Sequence, residues 1–207
     1  GRKSVLYSHQ PGETNSLSNN WVWDLHADSE GRLWAASSGG FHLYAPEKNG
    51  FINFSSLLNT DNVSGESYVA IAEDPHGNIW FASQFSGLTK FDTKTAQFSN
   101  LGIDSKQNLS SNNLFDITFD PDGNMWVATA MDGINFLPHS NEQFEHITTN
   151  SIHKIPSNKI RKLKLDLRNN LWVATEDTGV FVLQNNKVIQ HYQYSDNSSS
   201  ICSNSVY

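Results

Sequence analysis

Trp34, Trp80, Trp126 and Trp172 follow one another at a constant interval of 46 residues, and their neighbours recur with them. A single tryptophan constrains little. A constant period with preserved surroundings means that one supersecondary unit is repeated, and such units bury their apolar faces against their own copies. Six residues before each Trp stands an aspartate: Asp28, Asp74, Asp120 and Asp166. Three residues before it stand Gly31, Gly77, Gly123 and, in the last copy, Asn169. Fourteen before it stand Asn20, Asn112 and Asn158, with Glu66 in the second copy. After it come Ala36, Ala82, Ala128 and Ala174, then Gly40, Gly87, Gly133 and Gly179, the first copy being one residue short before its glycine.

The Asp-x-x-Gly element has a mechanical meaning. Asp74-Pro75-His76-Gly77 and Asp120-Pro121-Asp122-Gly123 put proline where a type I turn wants φ near −65° and glycine where φ must be positive, which closes a hairpin through a bulge. Asn169 meets the same demand, because asparagine tolerates the left-handed region. Residues 22–27, 68–73, 114–119 and 160–165 read as strands leading into these turns. A short apolar run follows each turn, such as Met125-Trp126-Val127-Ala128, and a strand apolar on both faces must be covered on both. A third strand begins at the later glycine (Gly87 to Phe91), and a weaker outer one is marked by Ile52, Phe98 and Phe144.

No stretch has helical periodicity. The predicted fold is therefore all-β, a β-propeller segment of about four four-stranded antiparallel blades, since radial stacking covers both faces of such small sheets. The blades are expected at 17–62, 63–108, 109–154 and 155–200. Shifting by four repeats lays Val5 on Ile189, Asn20 on Asn204 and Val22 on Val206, so 1–16 reads as the end of a preceding blade and 201–207 as the start of a following one. The expectation is a piece of a larger ring of about seven blades.

The formal charge of −7 argues against non-specific binding to nucleic acid or to an anionic membrane surface. No apolar run approaches membrane-spanning length, and Gly1-Arg2-Lys3-Ser4 lead into no apolar stretch of the kind a leader carries. One cysteine, Cys202, excludes an internal disulfide. The histidines show no metal-ligand spacing, and no nucleophile elbow, P-loop or dinucleotide fingerprint occurs, so no metal, cofactor or catalytic residue is expected.

The composite motif is carried best by Ser111-Asn112-Asn113-Leu114-Phe115-Asp116-Ile117 through Asp120, Gly123, Trp126, Thr129 and Gly133. It resembles the two-component regulator propeller repeat over nearly the whole chain. In that family the repeats build large propellers in the periplasmic sensor region of bacterial membrane receptors. A histidine kinase, often hybrid, or a diguanylate cyclase lies on the cytoplasmic side, and several members sense oligosaccharides. The resemblance thus implies a non-enzymatic, extracytoplasmic sensor segment that meets a small-molecule or oligosaccharide ligand and the remaining blades of its own protein. A homodimer is a further candidate partner; nucleic acid is not, and this segment would make no membrane contact. The phrase Gly77-Asn78-Ile79-Trp80-Phe81 is also similar to streptogramin-lyase propellers, which keeps an enzyme with a general base, His26, as the alternative. A pure protein-interaction propeller is the third.

The repeat-defining Trp, Asp and Gly residues are read as scaffold: rings wedged between blades, and carboxylates holding their own turns. A ligand site is sought where copies disagree. Trp21 stands where the other copies carry Ser67, Asn113, Lys159 and Ser205, and Trp23 aligns with Val69, Phe115, Arg161 and Tyr207. In a propeller the start of the inner strand and the loop between the second and third strands share one face, which would gather Trp21, Trp23, Phe85, Met131, Asp132, Glu176 and Asp177. Aromatic rings rimmed by carboxylates suit sugar recognition. The alternative is that Trp21 covers a neighbouring blade or subunit. Arg161, Lys162 and Lys164 are expected to line the central channel opposite Asp24, His26 and Asp116, either binding an anionic group or compensating those charges.

Overall fold

The computed structural model of the protein describes residues 4–54 and 67–207. Glu66 and the boundary at residues 62 and 63 lie outside the described residues. Four four-stranded antiparallel sheets follow in chain order. The first comprises β1 (Val22–Ala27), β2 (Leu33–Ser37), β3 (Gly40–Ala45) and β4 (Gly50–Asn53). The second comprises β5 (Tyr68–Glu73), β6 (Ile79–Ser83), β7 (Leu88–Asp92) and β8 (Gln97–Leu101). The third is β9 (Leu114–Phe119), β10 (Met125–Thr129), β11 (Ile134–Leu137) and β12 (Glu145–Ile147), the last beginning one residue after Phe144. The fourth is β13 (Ile160–Leu165), β14 (Leu171–Thr175), β15 (Val180–Gln184) and β16 (Lys187–Tyr192). The first strands of the sheets, β1, β5, β9 and β13, lie beside one another in that order, so the sheets are propeller blades arranged about an inner wall. Among the described residues no helix is long and apolar enough to cross a membrane.

Each turn after the inner strand closes as its sequence demands. Gly31, Gly77 and Gly123 have φ of 79°, 82° and 82°, and Asn169 has 59°. The aspartate does more than hold its turn. Asp28 Oδ1 accepts the Glu30 and Arg32 backbone N–H groups, while Oδ2 accepts the Trp34 indole N–H at 2.8 Å. The same indole bond recurs from Trp80 to Asp74, Trp126 to Asp120 and Trp172 to Asp166 at 3.0, 3.2 and 3.0 Å. Six residues separate Asp from Trp because the hairpin brings that pair together across its own turn. Burial pushes the Asp28 and Asp74 carboxyls up, but these donors outweigh it and hold both below the usual carboxylate range.

The rings fill the gaps between blades. Trp34 is 0 % exposed and clusters with Phe81 and Phe91 of the second blade, and Trp80 and Trp126 likewise join clusters with the third and fourth blades. Trp172 is 36 % exposed and stacks on Tyr192 of its own sheet. The recurring glycines and asparagines complete each joint. Gly87, Gly133 and Gly179 donate their N–H to the carbonyls of Asn112, Asn158 and Asn204 in the next unit. A Cβ on Gly133, at φ 75°, would meet the Ile147 carbonyl oxygen at 2.3 Å, so only glycine fits.

His42 is a core variant of this scheme. Its Nε2 accepts the Ser18 N–H at 2.9 Å, as Asn135 Oδ1 accepts the Ser110 N–H one pair of repeats later. Burial pushes the ring down from 6.5 to about 4, opposed by the Ala35 backbone. The neutral ring is therefore favoured by folding. Its contribution is complete above the unfolded value and is lost as pH falls from 6.5 toward about 4. His42→Asn keeps the acceptor and should narrow the stability gap between neutral and acid solution by about 2 kcal/mol. Urea midpoints of both proteins across that range check this; parallel pH profiles would refute it.

Candidate functional site

The inner strands share an irregularity that alternation alone does not reveal. In each, the pairing to the second strand slips by one residue at the same point: Val22↔Ser37 is followed by Asp24↔Ala36, and Ile160↔Thr175 by Lys162↔Ala174. The slip recurs at Tyr68/Ala70 and Leu114/Asp116. The extra residues are Trp23, Val69, Phe115 and Arg161, and Tyr207 stands one repeat further on. A bulge bends the strand and re-aims the side chain it carries. Here the bulged residues lie by the loops that join second and third strands. Ser38, Gln84, Ala130 and Glu176 in those loops donate their N–H to the carbonyls of Trp21, Ser67, Asn113 and Lys159. This end of the wall is one rim.

On the first blade, Trp23 donates its indole N–H to Ser38 Oγ at 2.7 Å, which fixes the polar edge of the ring. Trp21 meets it edge-on, centroids 6.1 Å apart and planes at 84°. Trp21 is 69 % exposed and Trp23 48 %. Phe85 and Met131 are exposed on the next two loops. Those loops are braced: Ser83 Oγ accepts the Phe85 and Ser86 N–H groups, and Thr129 Oγ1 accepts that of Asp132. Trp21, Trp23, Phe85, Met131, Asp132, Glu176 and Asp177 thus lie at one end of the blades.

Arg161 departs from expectation. It does not line the channel; the bulge turns it to the rim, where it ion-pairs with Glu176. Its guanidinium lies 4.1 Å from the Phe115 ring centroid and 5.4 Å from that of Tyr207. Lys159 pairs with Asp177 at 3.4 Å, and Asp177 also accepts the Ser157 hydroxyl.

Lys162 and Lys164 do line a groove of about 370 Å³ along the wall, with Asp24, His26, Glu73 and Asp116. Its carboxylates are engaged in the scaffold. Asp24 Oδ2 accepts the Ile71 N–H at 2.8 Å, and Asp116 Oδ2 the Leu163 N–H at 2.7 Å, each stapling one blade to the next. Lys162 Nζ donates to Asp116 Oδ1 at 3.0 Å. Burial raises the Asp116 pKa despite that ammonium. His26 Nε2 is buried without a hydrogen bond, 4.0 Å from Glu73 Oε2, while Glu73 accepts both the N–H and the hydroxyl of Ser29. At the opposite end, a depression of about 620 Å³ lies among the hairpin turns, with Phe119, Leu165 and Leu167 beside Glu73. Among the described residues no group of three His, Cys, Asp or Glu could hold a metal ion.

The bulge row, the Ser38 anchor and the Arg161 stack were not legible in the sequence; the only signal was the mismatch of residue types at the Trp23 position. The two component regulator propeller model matches residues 16–39, 62–85 and 108–131, so three stretches of the chain are similar to that repeat. None of the curated proteins matches it. Among solved structures, the extracellular domain of BT4673 from B. thetaiotaomicron, assigned to a one component system, superposes over 93% of this chain and 27% of its own. The TM-score is 0.74 and the identity 20%. A streptogramin B lyase gives 0.65 at 14% identity, covering 90% of this chain and 59% of its own. A gluconolactonase from Xanthomonas campestris gives 0.64 at 12%, covering 85% and 63%. At such identities the likeness is one of fold, and the chain spans about a quarter of the first of these proteins.

Proposed function

We propose that this array of two component regulator propeller repeats is a non-enzymatic, ligand-sensing segment of an extracytoplasmic receptor. Its rim binds an oligosaccharide, and the bound state is passed to a kinase or cyclase output. The single observation that carries the sugar reading is the Trp21–Trp23 pair. Two rings that the scaffold does not need stay in solvent, one of them aimed by a bulge and held by Ser38. Exposed, pre-oriented indole faces stack on sugar C–H surfaces at little entropic cost. The repeat match and the fold shared with the extracellular domain of a one component system support the receptor context and location. A thermal-shift and glycan-array screen of the complete extracytoplasmic region tests the proposal. Stabilisation by at least one oligosaccharide is expected, and none by any would sink the carbohydrate reading.

A second reading, catalysis in the groove, draws on the unpartnered His26 Nε2 beside Glu73 and on the lyase and lactonase folds. Turnover of lactone substrates by the purified protein, lost in His26→Ala, would favour it. A third, protein contact through Trp21 and Trp23, would show as a change of oligomeric state when both are replaced.

A further inference from the structure

The rim charges point to the class of sugar. Both cations of the fourth blade's rim are already spent: Arg161 on Glu176 and Lys159 on Asp177. Arg161 is further covered by the Phe115 and Tyr207 rings. Asp132, on the adjacent loop, has no ion-pair partner among the described residues. The rim from Trp21 through Phe85 and Asp132 to Glu176 thus offers aromatic faces, acceptor oxygens and a residual negative charge. Lys162 is paired with Asp116. Lys164 lies three residues beyond Arg161, roughly 10 Å down the strand and away from the rim.

We infer that the rim takes an uncharged oligosaccharide and rejects uronates and sulfated sugars, with Glu176 and Asp132 as the residues that set this preference. The inference rests on the sugar-sensing reading above. A carboxylate or sulfate brought to this rim would meet Asp132, which no cation neutralises among the described residues, and would have to displace Glu176 to reach Arg161. A neutral sugar pays neither cost: it stacks on the indoles and donates its hydroxyls to the same carboxylates.

The experiment is calorimetric titration of the complete protein with matched pairs of neutral and uronate-containing oligosaccharides, using the wild type, Glu176→Gln and Asp132→Asn. Both side chains are at the surface, and neither substitution removes a core contact. The wild type is expected to bind the neutral member about tenfold or more tightly than the acidic one, and each substitution to narrow that ratio severalfold by raising acidic affinity. Glu176→Gln should act most, because it leaves Arg161 stacked but without its counter-ion. Equal or tighter binding of the acidic member by the wild type overturns the inference while leaving the sugar reading intact. A preference unchanged in both variants overturns the assignment of Glu176 and Asp132. Binding of neither class sinks the sugar reading itself, and this inference with it.

Discussion

Replacing Trp34 with alanine is expected to cost about 4–5 kcal/mol, close to the whole stability of a marginal domain. The ring is fully buried, touching Phe54, Phe81 and Phe91 at centroid distances of 5.4, 5.8 and 5.6 Å, so its loss opens a cavity between the first and second blades. It also takes the indole donor from Asp28, whose carboxylate is sealed from solvent and retains only Arg32 and backbone donors. Trp34→Phe keeps most of the packing and should lose only about 1–2 kcal/mol for the missing donor. The repeat supplies an internal control. Trp172 makes the same bond to Asp166 but leans on Tyr192 of its own sheet, so Trp172→Ala should cost about 1–2 kcal/mol. Denaturant unfolding of the three variants decides the matter. Equal losses at Trp34 and Trp172 would mean that the wedge between blades is not what the ring contributes.

The second large effect concerns binding. Replacing Trp21 and Trp23 together with alanine should weaken oligosaccharide binding about 30-fold or more, the loss typical of central aromatic anchors. The unfolding midpoint should barely move, since surface substitutions away from special features shift stability by within about 0.5 kcal/mol. The same rings provide a direct signal. They are the two most exposed tryptophans of the chain, so sugar binding should shield a fluorescence component that iodide quenches in the free protein. Retained affinity in the double variant would move the site elsewhere. A changed oligomeric state with unchanged sugar affinity would instead assign the pair to protein contact.

The strands from Val22 to Ala27 and from Ile160 to Leu165 were legible because their turns carry proline, glycine or asparagine at fixed backbone demands. The wedge role of Trp34 followed from its period. The indole bond to Asp28 did not, because six residues of spacing do not say which carboxylate oxygen faces across the hairpin. Nor did the destination of Arg161. A bulge is an event of hydrogen-bond register between two strands, invisible in either strand alone, and one slipped pairing changes which way a side chain leaves the sheet.

By itself the sequence determined the architecture. A 46-residue period that places Asp, Gly or Asn, and Trp at fixed offsets favours radially stacked copies of one four-stranded unit over a β-solenoid or a two-sheet sandwich, because each copy must cover its neighbour's apolar face. It also marked Trp21 and Trp23 as residues the scaffold does not require. What only the tertiary structure decided is where the charges went. Arg161 reaches Glu176, and Lys162 reaches Asp116 on another blade, because partners 15 and 46 residues apart are brought together by the bulge and by blade packing. Ion pairs form at a few ångströms, and distances on that scale are set by how sheets stack rather than by the order of residues along the chain.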